Sequence, residues 1–157
     1  MKKINLAEVL LKEMAVFGCG SFDSKEEMFD IAALKFKKEG FVTSAEAFKE
    51  ALNYRETLGP TYMGNLVAVP HGKCREVLKP GIVFYRCKDS FVYKSAGESG
   101  LVKYIFVLAI TEDQEDNYHL RVLAALAGML AHKEFIKLLE EAADHEELIH
   151  GINQLKL

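Results

Sequence analysis

The chain has 157 residues, 50% of them hydrophobic and 27% charged, enough to bury one core in one domain without disulfide or metal staples. Twenty basic against 23 acidic residues leave a net charge of -3, which speaks against a binder of nucleic-acid backbones, and three unevenly spaced cysteines make no disulfide framework. No run reaches the roughly 18 apolar residues of a membrane span, and Glu8, Lys12 and Glu13 interrupt the apolar run behind Lys2 and Lys3, so the chain reads as soluble and cytoplasmic.

Asn5 followed by Glu8 is a capping pattern, and residues 5–14 are expected to form a short helix. Residues 15–22 are apolar with two glycines and suit a short strand. Ser24-Lys25-Glu26-Glu27 opens a helix through Met28, Ile31, Ala32 and Leu34, and Gly40 closes it behind Lys37 and Lys38. Thr43-Ser44-Ala45-Glu46 opens the next, with an apolar stripe of Ala47, Phe48, Ala51 and Leu52 that stops at Gly59-Pro60. A strand at 66–69 ends on Pro70. Strands at 81–87 and 101–110 follow, the second nearly all apolar and therefore expected at the centre of the sheet.

Beyond Thr111 the period becomes 3.6. Residues 118–131 carry Leu123, Leu126, Ala127 and Leu130, residues 132–142 carry Phe135, Ile136 and Leu139, and Asp144 caps a last helix. No repeat or linker divides the chain, so residues 1–157 are expected as a single domain. Helices alternating with strands give an α/β sandwich, and residues 86–100 suit a hairpin, which makes the sheet mixed.

The run Gly64-Asn65-Leu66-Val67-Ala68-Val69-Pro70-His71-Gly72 holds the most unusual chemistry. Pro70 ends the backbone ladder, His71 is expected at the strand tip, and Gly72 is expected to turn the chain sharply beside the imidazole. Against a functional histidine stands an incidental one in a strand-end turn. Arg55 falls on the stripe begun by Phe48 and Leu52, so it points toward the core or its edge and needs an anion. That anion is either a structural carboxylate such as Glu56 or Glu98, or a phosphate or carboxylate ligand. His119 stands on the apolar face near a helix N-terminus, as a satisfied core residue or as a ligand contact. His132, His145 and His150 read as surface. His71, Cys74 and Cys87 match no zinc-finger spacing, and nothing in the sequence orients Cys74 as a nucleophile.

The run Arg55-Glu56, Thr61, Gly64 and Ala68-Val69-Pro70-His71-Gly72 resembles the phosphorylation-site signature of the fructose–mannitol class of EIIA proteins, components of the bacterial phosphoenolpyruvate-dependent sugar phosphotransferase system. His119-Leu120, Leu123, Leu126-Ala127, Leu130 and Lys133-Glu134-Phe135 resemble that family's closing helices, so the likeness covers about residues 24–143 in order. It implies a mixed sheet with helices on both faces, an α/β/α sandwich. It implies His71 as the phosphohistidine, with Nε2 attacking and Nδ1–H held by an acceptor. It further implies that His119 and Arg55 contact the phosphoryl group, with no metal or cofactor.

The implied donor is the carrier protein HPr and the implied acceptor a cysteine of a cognate EIIB, met through a mostly apolar surface around His71. A regulatory, nitrogen-related EIIA role is the alternative. The absence of a fused DNA-binding or regulatory segment leans toward transport. Leu66 departs from the family pattern, in which many members carry a second glycine there.

Overall fold

The helices begin where short polar side chains can serve the orphan amides of a first turn. Ser24 Oγ accepts the Glu27 amide at 3.1 Å, Ser44 Oγ that of Ala47 at 3.1 Å, and Asp144 Oδ1 that of Glu147 at 2.9 Å. In the computed structural model, which describes residues 4–113 and 117–155, these caps open α2 (Lys25–Lys38), α3 (Ala45–Thr57) and α6 (His145–Gln154). The other helices are α1 (Leu6–Val9), α4 (Tyr118–Leu130) and α5 (Lys133–Glu141). Lys2 and Lys3 lie outside the described residues.

Among the described residues six strands make one mixed sheet: β1 (Ala15–Phe17), β2 (Tyr62–Gly64), β3 (Val67–Ala68), β4 (His71–Lys73), β5 (Gly81–Ser95) and β6 (Glu98–Ile110). Their order is β1-β5-β6-β3-β2, with β4 also against β6, so the apolar β6 is central as its sequence predicts. β5 and β6 form the expected hairpin, turning through Ala96 and Gly97 at φ 48° and 85°, the geometry of a two-residue hairpin loop. β1 runs parallel to β5, and β3 and β4 run parallel to β6. β3 and β4 are two pieces of one line, since Val67 pairs with Tyr104 and His71 with Leu108 in the same register. Pro70 separates them because it lacks an N–H, while its carbonyl still accepts the Leu108 amide at 3.0 Å.

Strand alternation divides the core in two. Val83, Tyr85, Ile105, Val107 and Ala109 pack with α2 and α3, whereas Ile82, Phe84, Phe106 and Leu108 pack with Val122, Leu126, Phe135 and Leu148 from α4, α5 and α6. Helices therefore cover both faces, the α/β/α sandwich that the resemblance implies.

Several local expectations give way to packing. The helix expected over 5–14 ends at Val9; Leu10 is extended and Lys12–Met14 makes a single 3-10 turn. Leu6 and Leu10 are buried in the layer against α4, α5 and α6, whereas Met14 is buried in the layer against α2 and α3. One helical stripe does not reach both faces, and this packing overrides helix propensity. The strand expected over 15–22 stops at Phe17 because Gly18 and Gly20 turn left-handed, at φ 70° and 79°. β2 has no clear apolar alternation and escaped the sequence pattern; it pairs antiparallel with β3. In α2, Ile31 and Leu34 are exposed while Met28, Phe29, Ala32, Ala33 and Phe36 are buried, and in α4 the buried residues are Val122 and Leu126, with Ala127 exposed. His145 is half-buried rather than on the surface, with Nε2 2.7 Å from the Leu10 carbonyl, which ties α6 to the segment after α1. His132 and His150 are exposed, as expected.

Leu66 stands in the β2–β3 turn at φ 66°, next to Asn65 at φ 52°. A left-handed conformation costs a residue with a Cβ roughly 1–2 kcal/mol, and Leu66 is the position where the resemblance expects glycine. Leu66→Gly is expected to stabilise the protein by about 1 kcal/mol, read from the urea unfolding midpoint at unchanged m-value. A lower midpoint would show that the leucine side chain outweighs its backbone strain.

Candidate functional site

His71 is held from two sides. Its Nδ1 lies 3.1 Å from the Val69 carbonyl oxygen and its Nε2 3.0 Å from Nε of Arg55. A carbonyl only accepts and a guanidinium only donates, so the ring proton sits on Nδ1 and the lone pair on Nε2. Burial, chiefly, pulls the His71 pKa below the ordinary histidine value, and the positive charges of Arg55 and of a protonated His119 add to this. The Val69 bond and Glu56 oppose it. The imidazole is therefore neutral at pH 7, with one nucleophilic nitrogen in one tautomer.

The strand geometry beside it differs from the sequence expectation. His71 opens β4 instead of ending a strand, and Gly72 continues that strand without a sharp turn. A Cβ at residue 72 would stand 3.0 Å from Phe48 Cε1 and 3.2 Å from the Leu52 amide nitrogen. Glycine is needed there because α3 lies close against β4, which also brings Arg55 to His71.

Arg55 sits in the last turn of α3, where its Nη1 also donates to the Gly59 carbonyl at 3.0 Å. Among the described residues both of its hydrogen-bond partners are neutral, and neither Glu56 nor Glu98 pairs with it. Glu56 has another task. It is 5% exposed and accepts from Ser95 Oγ at 2.7 Å, Thr61 Oγ1 at 2.6 Å and Lys25 Nζ at 3.5 Å. The Tyr93 hydroxyl reaches Thr61 Oγ1 at 2.8 Å, and the Thr61 amide donates to Ser95 Oγ at 3.0 Å. This buried network joins the end of α3 to the approach to β2 and the end of β5, and so fixes the turn that carries Arg55. Its signal in the sequence was a carboxylate at helical spacing behind Phe48 and Leu52.

His119 lies in the first turn of α4, half-buried, one turn ahead of Val122 on the buried stripe. Its Nδ1 is buried and has no hydrogen-bond partner among the described residues. Burial and then the charge of Lys73 lower its pKa below the ordinary value. Lys73, exposed and two residues beyond His71, shares a side of β4 with it. Sequence reasoning did not select Lys73 for the site, although the strand period carries that information. The fold thus gathers Arg55, His71, Lys73 and His119 from the end of α3, from β4 and from the start of α4.

Large apolar side chains stand exposed on the elements that frame the site: Leu58 behind α3, Met63 on β2, Leu66 in its turn and Leu120 beside His119. Among the described residues no three His, Cys, Asp or Glu side chains gather as a metal-binding group, and no helix is long and apolar enough to cross a membrane. Burial raises the Cys74 thiol pKa, the opposite of what activates a sulfur nucleophile.

Fold and site define an α/β/α protein that presents a neutral imidazole beside an arginine that, among the described residues, pairs with no carboxylate. Residues 9–155 match the family described as phosphoenolpyruvate-dependent sugar phosphotransferase system, EIIA 2, and the chain belongs to that family. It is similar to the PTS system fructose-specific EIIABC component of Bacillus subtilis (strain 168), with 32% identity over 96% of this chain and 23% of that one. Its fold matches the crystal structure of nitrogen regulatory protein IIA-Ntr from Neisseria meningitidis at TM-score 0.80, with 29% identity over 94% of this chain and 98% of that one. It also matches the complex of enzyme IIAMTL and phosphorylated enzyme IIBMTL from Escherichia coli at TM-score 0.74, with 25% identity over 93% of this chain and 98% of that one. The chain spans about a fifth to a quarter of the length of the first curated relatives it matches.

The two depressed histidines act on stability in one direction. Below about pH 6.5 the unfolded chain takes up protons at these positions while the folded chain resists them. Stability is therefore lost as pH falls below that value through the lower folded pKa values. An NMR titration of the ring protons is expected to place the His71 midpoint below the ordinary histidine value, and Arg55→Gln is expected to move it upward by removing a neighbouring positive charge. A downward move would contradict this electrostatic account.

Proposed function

We propose that the chain is a phosphocarrier of the sugar phosphotransferase system, taking a phosphoryl group from phospho-HPr on His71 and giving it to a cysteine of a cognate EIIB. The observation that carries this reading is the single tautomer of His71, with Nε2 unprotonated and turned toward Arg55. In the first transfer the Nε2 lone pair attacks phosphorus, the P–N bond to the donor histidine of HPr breaks, and that imidazole leaves with the electron pair. His71 keeps its Nδ1 proton against the Val69 carbonyl throughout. In the second transfer a thiolate of EIIB attacks the same phosphorus and Nε2 leaves as a neutral imidazole.

Such a transfer depends on positioning and charge more than on covalent help from the protein. In the resting chain Arg55 donates to the nitrogen that must attack, so its N–H donation shifts to the phosphoryl oxygens as the group arrives. His119 donates to an equatorial oxygen, and Lys73 adds positive charge. No metal or cofactor enters this mechanism. The exposed Leu58, Met63, Leu66 and Leu120 suit transient docking of two partners in turn, and the likeness to an Escherichia coli IIA bound to phosphorylated IIB supports EIIB as one of them. The role places the protein in the cytoplasm, without a nucleic-acid partner and without membrane insertion.

A regulatory role, in which the phosphorylation state controls partner binding, is the second reading. The likeness to nitrogen regulatory protein IIA-Ntr of Neisseria meningitidis favours it. Addition of phosphorylated protein to candidate EIIB proteins separates the two, because only the carrier passes the group to a cysteine.

Incubation with phosphoenolpyruvate, enzyme I and HPr is expected to add one acid-labile, base-stable phosphoryl group, seen by mass spectrometry. Folded His71→Ala is expected to take up none, and one group on that variant would refute the assignment. Arg55→Ala is expected to slow transfer by a barrier of about 1.5–3 kcal/mol, the worth of a charge-assisted hydrogen bond. His119→Ala is expected to accept the group yet pass it on slowly. Normal transfer per folded molecule, with a lowered Tm, would leave His119 a core residue only.

A further inference from the structure

Cys19 and Cys87 lie outside the site described above, in the layer between the sheet and α2. Their Sγ atoms are 3.9 Å apart. Two backbone hydrogen bonds bracket the pair, from the Gly18 amide to the Arg86 carbonyl at 3.1 Å and from the Lys88 amide to the Gly20 carbonyl at 2.7 Å. Residues 18–20 therefore run beside β5 at about one strand spacing, ~4.8 Å, inside the Cα separation of roughly 4.4–6.8 Å that a disulfide accepts. Bond formation requires the sulfurs to close to about 2.05 Å. Gly18 and Gly20, both at positive φ, flank Cys19 and supply the backbone freedom such a movement needs.

The two sulfurs are unequal. Cys19 is half-buried and lines a cleft of about 330 Å³ with Phe22, Ile31, Leu34 and Tyr85, whereas Cys87 is 2% exposed. The Tyr85 hydroxyl on the same cleft is buried and has no hydrogen-bond partner among the described residues, which leaves a polar foothold beside the sulfur. The hydrogen bond with Cys87 holds the Cys19 thiol below its ordinary pKa against the effect of burial, and the same pairing pushes Cys87 upward.

We propose that Cys19 and Cys87 form a reversible dithiol–disulfide couple driven by hydroperoxides, with Cys19 as the attacking sulfur and Cys87 as the resolving one. The Cys19 thiolate attacks one peroxide oxygen and the O–O bond breaks. The other oxygen leaves as water or an alcohol, carrying the thiol proton, and Cys19 becomes a sulfenic acid. The Cys87 sulfur attacks the Cys19 sulfur, the S–O bond breaks, and hydroxide leaves with the Cys87 proton as water. Two thiols lose two electrons and two protons, and one peroxide is reduced by two electrons. A dithiol reductant restores both thiols. In a reducing compartment a bond of this kind is transient and serves redox sensing.

The test treats the full chain with hydrogen peroxide, alkylates the remaining thiols and maps the peptides. Three free thiols before treatment are expected to fall to one, on Cys74, with a Cys19–Cys87 disulfide peptide that dithiothreitol removes. Cys87→Ser is expected to leave a sulfenic acid on Cys19, trapped by dimedone, and no internal cross-link. Cys19→Ser, at a half-buried position, is expected to leave Cys87 reduced, with circular dichroism checking the fold. Oxidation of Cys19 to the sulfinic acid while Cys87 stays a thiol in the unaltered chain would overturn the proposal. So would preferential oxidation of Cys74.

Discussion

One imidazole held between an acceptor and a donor sets the terms for the rest of this molecule. The Val69 carbonyl accepts a hydrogen bond from Nδ1–H, and the Arg55 guanidinium donates one to Nε2. Neither partner can exchange roles, because a carbonyl has no proton to give and a guanidinium has no lone pair to offer. The ring is thereby fixed in orientation and tautomer before any ligand arrives. Burial lowers its basicity further, so the lone pair is not lost to a proton at neutral pH.

Each side of that clamp is the end of a chain of structural causes. Val69 and His71 belong to a strand line broken by Pro70, whose missing N–H opens the ladder while β6 keeps both pieces in register. Arg55 reaches the ring because Gly72 lets α3 approach β4, and because Glu56, Thr61, Ser95 and Tyr93 hold the end of α3 from beneath. A buried carboxylate is costly unless its oxygens are served. Here two hydroxyls and Lys25 serve them, and the same bonds hold the arginine turn.

The sequence made the helices and the central strands readable because their signals are local. Ser24 and Asp144 cap the helices they were expected to cap, the helix expected to open at Thr43–Glu46 does so with Ser44 as its cap, and the apolar run of β6 lies in the middle of the sheet. His71, Arg55 and His119 were also legible as candidates, through the unusual run at Pro70, helical spacing and the resemblance to the EIIA family. Other features depend on tertiary packing that no local pattern carries. Gly72 reads as a turn residue, yet its partner is Phe48 on a distant helix. His145 reads as surface, yet it reaches the Leu10 carbonyl across most of the chain. Lys73 sits two residues past His71, a spacing that matters only once β4 is known to be a strand.

The unphosphorylated protein holds His71 neutral, with its proton on Nδ1 and Nε2 free of one. Long-range proton–nitrogen correlation spectra of the uniformly nitrogen-15-labelled chain at neutral pH measure this directly. A protonated nitrogen is expected at Nδ1 and an unprotonated one at Nε2, a pattern that Val69 and Arg55 impose together. A His71 ring protonated on Nε2, or on both nitrogens at neutral pH, would contradict it.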